Sequence, residues 1–293
     1  MTREIPPLLV MSMKAHRQKR VKRTLGKPKV IHQMAIKAYR LHRHLKNTFA
    51  SHAYKKADLM PAIIARHQSV LLKKLGDHNE KLQTQKIKNL TIASQKIDRI
   101  IIQPGQTFSY WHTIGRPQKR HGYVEGMLLS QGKVIAGIGG GLCQLSNLLY
   151  WLFLHGPFEI VERYHHSYDV FPDSGRVLPF GSGATVFYNY VDLVVRNSSS
   201  QPMQIHLWLT DTHLKGQILS SENYQKKFSI KEKNHYFVHD RKQWFRYNEL
   251  YQETRDKGKL EHSTLVTTNL APVLYPVTKD ELIAKGYETL EMN

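Results

Sequence analysis

The sequence predicts an α+β fold in which a buried helix that carries Cys143 packs on a mostly antiparallel sheet. Three observations lead to this prediction. An almost wholly apolar run at 142–154 follows a glycine-rich segment and stops at His155-Gly156-Pro157, which is typical of a buried helix. Alternating and β-branched segments recur between 184 and 230. The first 50 residues are rich in Lys and Arg, and apolar residues between 31 and 45 recur at helical spacing, which indicates a basic helical N-terminal arm.

The charge of the chain is strongly basic and unevenly spread. The net charge is +20 over 293 residues, and residues 1–50 hold thirteen Lys or Arg against one acid, Glu4. Such a segment attracts an anionic surface. We expect peripheral contact with an anionic membrane through 14–50, although a solvated arm without a dedicated partner explains the pattern equally well. Nucleic acid is not expected, because no binding module is recognisable and no aromatic residue interleaves the basic cluster at 14–29.

The sequence predicts a cytoplasmic protein at or near the inner face of the membrane. No apolar run approaches the ~18 residues of a spanning helix. The short apolar stretch at 5–13 contains Pro6 and Pro7 and leads into basic residues, so we do not interpret it as a signal peptide. A single cysteine cannot form an internal disulfide, which agrees with a reducing compartment.

Composition and pattern divide the chain into three parts. These are a basic, largely helical region at 1–84, a core at 85–222 and a β-rich polar extension at 223–293. Within the core we predict a helix at 85–98, a strand–turn–strand at 101–110, strands at 124–127 and 133–136, and strands at 184–190 and 192–197. The pattern of the extension indicates a long hairpin or an appended arm that breaks at 256–258, followed by a short terminal helix at 279–290.

The chemistry is predicted at the start of the buried helix. A helix N-terminus and a nearby histidine would both lower the pKa of Cys143 and favour the nucleophilic thiolate. The backbone amides of Gly139, Gly140 and Gly141 could stabilise an oxyanion, with help from Gln144.

The chain order after the cysteine matches that of papain-like and transglutaminase-like thiol enzymes. In that order a histidine on the next strand is followed by an acid or amide. The candidates are His166 or His165 as the base, and Asp192, Asn189 or Asp169 as the orienting residue. The structural alternative is that Cys143 is a small buried hydrophobe and that the glycines only allow tight packing.

Cofactor sites are not predicted. Gly137 and Gly139 lack the spacing of a dinucleotide-binding loop, and no phosphate loop is present. Adjacent His165 and His166 on a strand would point to opposite faces, so at most one could reach a zinc site with Cys143. We therefore expect no cofactor and no metal.

At these residues the chain resembles the VanW family over about 85–220. The matching segments are Gln103-Pro104-Gly105-Gln106-Thr107-Phe108-Ser109, Gly122-Tyr123, Gly139-Gly140-Gly141-Leu142-Cys143-Gln144-Leu145-Ser146-Asn147-Leu148-Leu149, Val161-Glu162-Arg163, His166-Ser167, Phe171-Pro172-Asp173, Ala184-Thr185-Val186 and Asp192-Leu193. The resemblance implies a bacterial protein of glycopeptide-resistance gene clusters or of the cell envelope. It does not imply an established reaction.

The resemblance also selects among the candidate residues. His166, not His165, occupies the family's His-Ser position. Relatives tend to carry an acid where this chain has Gly183. If that acid is catalytic in them, either Asp192 is the orienting residue here or the site is impaired. Ser109 and Tyr123 lie in matching segments and are expected, with Gly139, Gly140, Gly141 and Gln144, to contact the ligand.

Two functions follow as hypotheses. In the first, Cys143, His166 and Asp192 perform cysteine-dependent acyl transfer or amide hydrolysis on a peptide-like envelope precursor, such as a peptidoglycan precursor. In the second, the protein is a non-enzymatic accessory or binding protein whose ligand pocket lies at the 139–143 loop. Replacement of Cys143 by Ser and by Ala separates them.

Overall fold

The computed structural model describes residues 5–24, 34, 37–38, 41–45, 51–72, 80–130, 133–165, 167–170, 172, 177–188 and 190–292. The helices are α1 (Pro7–Thr24), α2 (Glu80–Ile97), α3 (Tyr110–Ile114), α4 (Leu142–Leu154) and α5 (Lys279–Ala284). The strands are β1 (Ala62–Val70), β2 (Ile101–Ile102), β3 (Thr107–Ser109), β4 (Glu125–Ser130), β5 (Lys133–Ile138), β6 (Phe158–Glu162), β7 (Val194–Asn197), β8 (Met203–Leu209), β9 (His213–Ser220), β10 (Lys226–Asp240), β11 (Gln243–Asp256), β12 (Lys259–Pro272) and β13 (Glu288–Met292). The predicted α+β class is confirmed.

The cysteine-bearing helix α4 packs on an antiparallel sheet, as predicted. The sheet has the order β1-β9-β8-β2, and α4 lies against β1 and β9. Close approach depends on Gly216 of β9, where a Cβ would lie 2.7 Å from Cδ1 of Leu152. Nine of the thirteen α4 residues are buried, and the interface between this helix and the sheet lies within the main hydrophobic core.

Two smaller sheets pack near α4. The order β3-β7-β6 forms one, and β4 and β5 pair antiparallel as the other. The predicted strands around the turn at 104–105 are confirmed as β2 and β3. They do not pair with each other, because β2 joins β8 and β3 joins β7. This turn therefore connects two different sheets.

The C-terminal part forms a fourth sheet, which consists of mostly antiparallel strands. Its order is β12-β11-β10-β13, with only β13 parallel to its neighbour β10. The predicted break at 256–258 is confirmed, since β11 ends at Asp256 and β12 begins at Lys259. A buried ion pair between Arg246 of β11 and Asp169 ties this layer to the core, with Nη1 and Oδ2 3.5 Å apart.

The basic N-terminal arm is helical where it is described. Helix α1 begins within the apolar stretch at 5–13, and Leu9 and Met13 are buried against Val238, Phe245 and Tyr247 of the C-terminal sheet. Residues 41–45 are also helical. The rest of the predicted helical pattern at 25–50 largely lies outside the described residues. Within the part described, no helix is long and apolar enough to cross a membrane.

Three predicted boundaries were wrong. Helix α2 begins at Glu80 rather than near 85. Its buried face includes the polar residues Gln83, Lys86 and Asn89, so the apolar periodicity that marks a helix is weak in its first turns. The segment predicted as a strand at 184–190 is irregular over its described residues 184–188. The terminal helix α5 is only six residues long and is followed by β13.

Candidate functional site

Cys143 lies in the first turn of α4, directly after the glycine-rich segment. Gly141 is the N-cap, with a left-handed φ of 92°. The Cys143 side chain is partly buried, and its Sγ donates to the carbonyl oxygen of Val186 at 3.9 Å. The sulfur therefore faces the irregular segment 184–188, which closes over the start of the helix.

A small cleft of about 170 Å³ opens beside this sulfur. Its walls are mainly aromatic and apolar, with one cation. The lining residues are Trp111, Arg116, Pro117, Leu128, Ile138, Gly139, Leu142, Cys143, Val186, Phe187 and Tyr188. Trp111 and Tyr188 meet edge to face, with ring centroids 5.6 Å apart. Such a lining suits an apolar or flat group that carries a negative charge at one end.

The thiol environment differs from the predicted one. Burial raises the pKa of Cys143, and the Val186 carbonyl opposes this only in part. The helix N-terminus was expected to lower the pKa of the thiol. Desolvation by burial acts in the opposite direction and is the main cause of the raised pKa, so at neutral pH the group beside the cleft is the thiol.

The three glycines are used for packing and internal hydrogen bonds. Gly139, Gly140 and Gly141 donate their amides to the carbonyls of Val124, Gly137 and Met127, at 3.0, 3.0 and 2.9 Å. These amides are therefore already bonded, unlike the first-turn amides of a helix, which have no intrahelical acceptor. In the first turn of α4 the Gln144 amide donates to the Gly141 carbonyl at 2.9 Å, so an oxyanion at the cleft would depend on the amides of Leu142 and Cys143.

Gly140 is also a point of contact between two backbones. A Cβ at Gly140 would collide with the carbonyl group of Gly126 in β4. Asn89 of α2 holds this crossing together by donating to the carbonyls of Gly140 and Val124 at 2.9 and 3.0 Å. The glycine segment thus lets β4, α2 and α4 approach each other closely.

Two of the other predicted ligand-binding residues have structural partners. The side-chain amide of Gln144 donates to Ser69 Oγ at 3.0 Å and to the Val70 carbonyl at 2.7 Å, which ties α4 to the end of β1. Ser109 is the N-cap of α3 and accepts from the His112 amide at 3.1 Å. Neither residue lines the Cys143 cleft.

Tyr123 lines a different cleft, of about 390 Å³. Its ring is buried, and its hydroxyl has no hydrogen-bond partner among the described residues. Burial raises the pKa of this hydroxyl to about 12.

Asp192 is fully buried behind the cleft and is saturated with donors. Its Oδ1 accepts from the amides of Trp111 and Leu193 at 3.0 and 2.9 Å, and Oδ2 accepts from the Ser109 hydroxyl at 2.6 Å. Burial raises its pKa to about 6, against the lowering effect of the Ser109 and Trp111 hydrogen bonds. Asp192 therefore positions Trp111, one wall of the cleft.

A second carboxylate shares a cation with Asp192. Arg43 donates to Glu162 at 2.8 Å through Nη1, and the same Nη1 lies 3.6 Å from Oδ2 of Asp192. Arg43 belongs to the N-terminal segment at 41–45, so this contact fastens the basic arm to the core next to α3. The pKa of Arg43 is raised by Glu162 and Asp192 despite partial burial.

The predicted base, His166, and the alternative orienting residue Asn189 lie outside the described residues. The pairing of Cys143 with His166 therefore stays a prediction. The other alternative, Asp169, is directed to the C-terminal sheet, where it meets Arg246 and accepts from the Tyr275 hydroxyl at 3.1 Å.

Sequence reasoning missed the residues that hold the segment over Cys143. Arg163 donates to the carbonyls of Gly181 and Gly183, the latter at 2.9 Å, and reaches Thr267 Oγ1 on β12 at 3.1 Å. From the helix side, Ser146 Oγ donates to the Ala184 carbonyl at 2.6 Å, and Asn147 Oδ1 accepts from the Ala184 amide at 2.8 Å. The polar residues Ser146 and Asn147 near the start of an otherwise apolar helix were the sequence signal that could have indicated these contacts.

Asn147 also explains the local environment of Gly183. A Cβ at Gly183 would lie 2.6 Å from Asn147 Oδ1. The space that a side chain at 183 would need is thus occupied by this amide.

Among the described residues, no group of three His, Cys, Asp or Glu side chains is arranged to hold a metal ion.

Fold and site together define an α+β protein with a small cysteine-lined cleft at the start of a buried helix. The family model described as "VanW like protein" matches residues 85–219. The chain is 32% identical to the "Vancomycin B-type resistance protein VanW" of Enterococcus faecalis over 197 residues, which are 67% of this chain and 72% of that protein. This chain belongs to the VanW family.

A second relative matches a smaller part of the chain. The chain is 30% identical to the "Uncharacterized protein YoaR" of Bacillus subtilis over 117 residues, which are 40% of this chain and 37% of that protein. No solved structure gives a significant match.

Proposed function

We propose that this protein is a ligand-binding accessory protein of a cell-envelope process linked to glycopeptide resistance. Its cleft beside Cys143 takes one peptide-like end of an envelope precursor. The observation that carries the proposal is the cleft itself, which is lined by Cys143 together with Trp111, Phe187 and Tyr188, and to which Arg116 adds a positive charge. The name of the Enterococcus relative supports the link to vancomycin resistance.

Two features favour binding over thiol chemistry as the primary role. Burial raises the pKa of Cys143, so the nucleophilic thiolate is a minor species at neutral pH. The glycine amides that would serve an oxyanion are bonded to backbone carbonyls. Aromatic rings and a guanidinium, by contrast, provide stacking surface and a carboxylate partner without further rearrangement.

The second candidate is a cysteine-dependent acyl transfer or amide hydrolysis by Cys143 with His166. One observation favours it, namely that Sγ lies in the first turn of α4 at the wall of an open cleft. In this reaction the sulfur would attack an amide carbonyl, His166 would take the thiol proton and pass it to the leaving amine, and water would release the acyl group.

Binding of a soluble precursor, UDP-N-acetylmuramoyl pentapeptide, tests the proposal. We expect Trp111→Ala to weaken binding at least about tenfold, since stacking surface is lost, and Cys143→Ala to retain wild-type affinity. Absence of binding to the wild-type protein would refute the binding role. Mass spectrometry of the same mixtures decides between the candidates. A cleaved product or a Cys143 adduct, lost in Cys143→Ser and Cys143→Ala, would establish the enzyme.

We further propose that the basic segment 14–50 contacts an anionic membrane surface on the cytoplasmic side. The charge of the segment supports this, because residues 14–50 contain twelve Lys or Arg and no Asp or Glu. Cosedimentation with vesicles tests it. We expect binding to vesicles with anionic lipid that is lost at high salt, and no binding to neutral vesicles. Equal binding to both would contradict the proposal.

A further inference from the structure

A second cleft adjoins the Cys143 cleft. It has a volume of about 390 Å³, and Ile138 lines both clefts. The lining residues of the second cleft are Gln85, Lys88, Lys119, Gly122, Tyr123, Val124, Glu125 and Ile138. At about 170 Å³ the Cys143 cleft is smaller than a typical site of ~300–1,000 Å³, so it holds only one end of a ligand. The second cleft provides space for the rest of the ligand.

The combined lining is cationic. Lys88 and Lys119 face the second cleft, and Arg116 faces the first. Within the described part of the chain, none of these three side chains forms a hydrogen bond or an ion pair. Other cations nearby are engaged, since Lys96 donates to the Ile114 carbonyl at 2.6 Å. Glu125 is the one acid in the lining of the two clefts, so three positive charges face one negative charge.

One loop carries two of these three cations, one for each cleft. Arg116 and Lys119 are three residues apart, on the segment that connects α3 to β4 through a short 3-10 helix, Lys119–His121. The loop rests on α2, where a Cβ at Gly122 would be 3.3 Å from Cδ1 of Ile92. Lys88 belongs to the same helix. The two lysines therefore converge on one cleft from separate, packed elements.

We infer that this second cleft binds an anionic group, a phosphate or a carboxylate, on the same molecule whose peptide-like end occupies the Cys143 cleft. The inference rests on the proposed function and specifies its ligand class as an extended, anionic, peptide-bearing molecule. Unpaired ammonium groups beside a neutral donor, Gln85, bind phosphate or carboxylate oxygens through charge-assisted hydrogen bonds. The aromatic cleft supplies the apolar contact on the other side of Ile138.

Two simple probes distinguish the sources of negative charge. Inorganic pyrophosphate reports on phosphate, and N-acetyl-alanyl-alanine reports on a peptide carboxylate, with its C-terminal amide as the uncharged match. Binding is measured by calorimetry, and occupation of the first cleft by the rate at which iodoacetamide alkylates Cys143, the single cysteine. We expect the preferred probe to lose at least about tenfold in affinity in Lys88→Gln/Lys119→Gln, and to bind more weakly at high salt.

The control variant is Lys215→Gln, which removes a charge from β9 at a residue that lines neither cleft. It should bind like the wild-type protein. The inference is overturned if neither anion binds, or if the double lysine variant binds both as the wild type does. Failure of the proposed function looks different: the lysine-dependent binding of pyrophosphate would persist, while neither N-acetyl-alanyl-alanine nor the UDP-linked pentapeptide would slow alkylation of Cys143.

Discussion

The hydroxyl of Ser109 donates a 2.6 Å hydrogen bond to Oδ2 of Asp192, and both residues are buried. The other oxygen of Asp192 accepts the amide of Trp111 at 3.0 Å. The carboxylate thus caps the start of α3 and fixes the aromatic wall of the Cys143 cleft. Asp192 was expected to orient a catalytic histidine, and the contacts that the structure gives it are those of a positioning residue.

Asp192→Asn should change how stability depends on pH. Burial raises the folded-state pKa of Asp192 from 3.8 to about 6. A raised pKa means that the contribution of this group to stability is complete below its unfolded pKa and is lost as pH rises through about 6. The loss is roughly 3 kcal/mol. Urea unfolding of the wild type between pH 4.5 and 7.5 should show this slope, and the Asn variant should lack it.

The matched control for that experiment is Asp58→Asn. Asp58 is fully exposed, and its ion pair with Arg99 spans 3.6 Å. The control should keep the wild-type slope. Parallel stability curves for the wild type and Asp192→Asn would show that Asp192 does not titrate near pH 6.

Cys143 should be a slow nucleophile in the folded protein. Because burial raises the pKa of its thiol, alkylation by iodoacetamide should have a higher pH midpoint in native protein than in urea. At pH 8 we expect native labelling to be at least about tenfold slower. Cys143→Ser gives the background. A native midpoint at or below that of the unfolded chain would reverse the assignment and favour the thiol enzyme.

Arg163→Lys should loosen the segment over Cys143. A lysine keeps the charge but loses the fork that reaches the carbonyls of Gly181 and Gly183 and the side chain of Thr267. We expect a cost of about 2–4 kcal/mol and faster alkylation of Cys143 in the folded state. Arg196→Lys is the control, because its ion pair with Glu159 is exposed and should be worth less than ~1 kcal/mol. An unchanged rate of Cys143 alkylation in Arg163→Lys would show that Arg163 does not control access to the cleft.

Gly140→Ala should be among the most damaging single substitutions. The added Cβ would collide with backbone atoms of Gly126, which cannot rotate away. We expect a loss of more than ~3 kcal/mol or failure to fold, as measured by urea unfolding. Gly105→Ala is the comparison: φ is 73° there, but nothing lies within 4 Å of its Cβ. It should cost about 1–2 kcal/mol.

Gly183→Asp should be rescued by a smaller residue at 147. The Cβ of Asp at this position would lie 2.6 Å from Oδ1 of Asn147. The single variant is therefore expected to lose about 2 kcal/mol, and Asn147→Ser in the same chain to restore at least about 1 kcal/mol. A double-mutant cycle measures this coupling. Additive losses would mean that the two positions do not compete for space.

Some of this fold could be predicted from short stretches of sequence. Helix α4 was predicted with its correct limits, because the apolar run, the glycines before it and Gly156-Pro157 after it all act locally. The strands β4 and β5 and the break between β11 and β12 were found for the same reason.

Other elements depend on partners that are distant in the sequence. The 184–190 segment has the composition of a strand. Instead, the backbone of Ala184 bonds to Ser146 and Asn147, and the Thr185 amide donates to the Tyr164 carbonyl at 2.7 Å. Side chains of α4 thus satisfy groups that a neighbouring strand would otherwise pair.

The sequence alone determined that Cys143 begins a buried helix after a glycine segment, since hydrophobic periodicity and helix boundaries are local properties. Only the tertiary structure decided what surrounds the sulfur. Val124 and Met127 take up the amides of Gly139 and Gly141, and Trp111 is fixed by Asp192. Desolvation of the thiol and the charges of the adjoining cleft arise from segments far apart in the chain, so no local pattern encodes them.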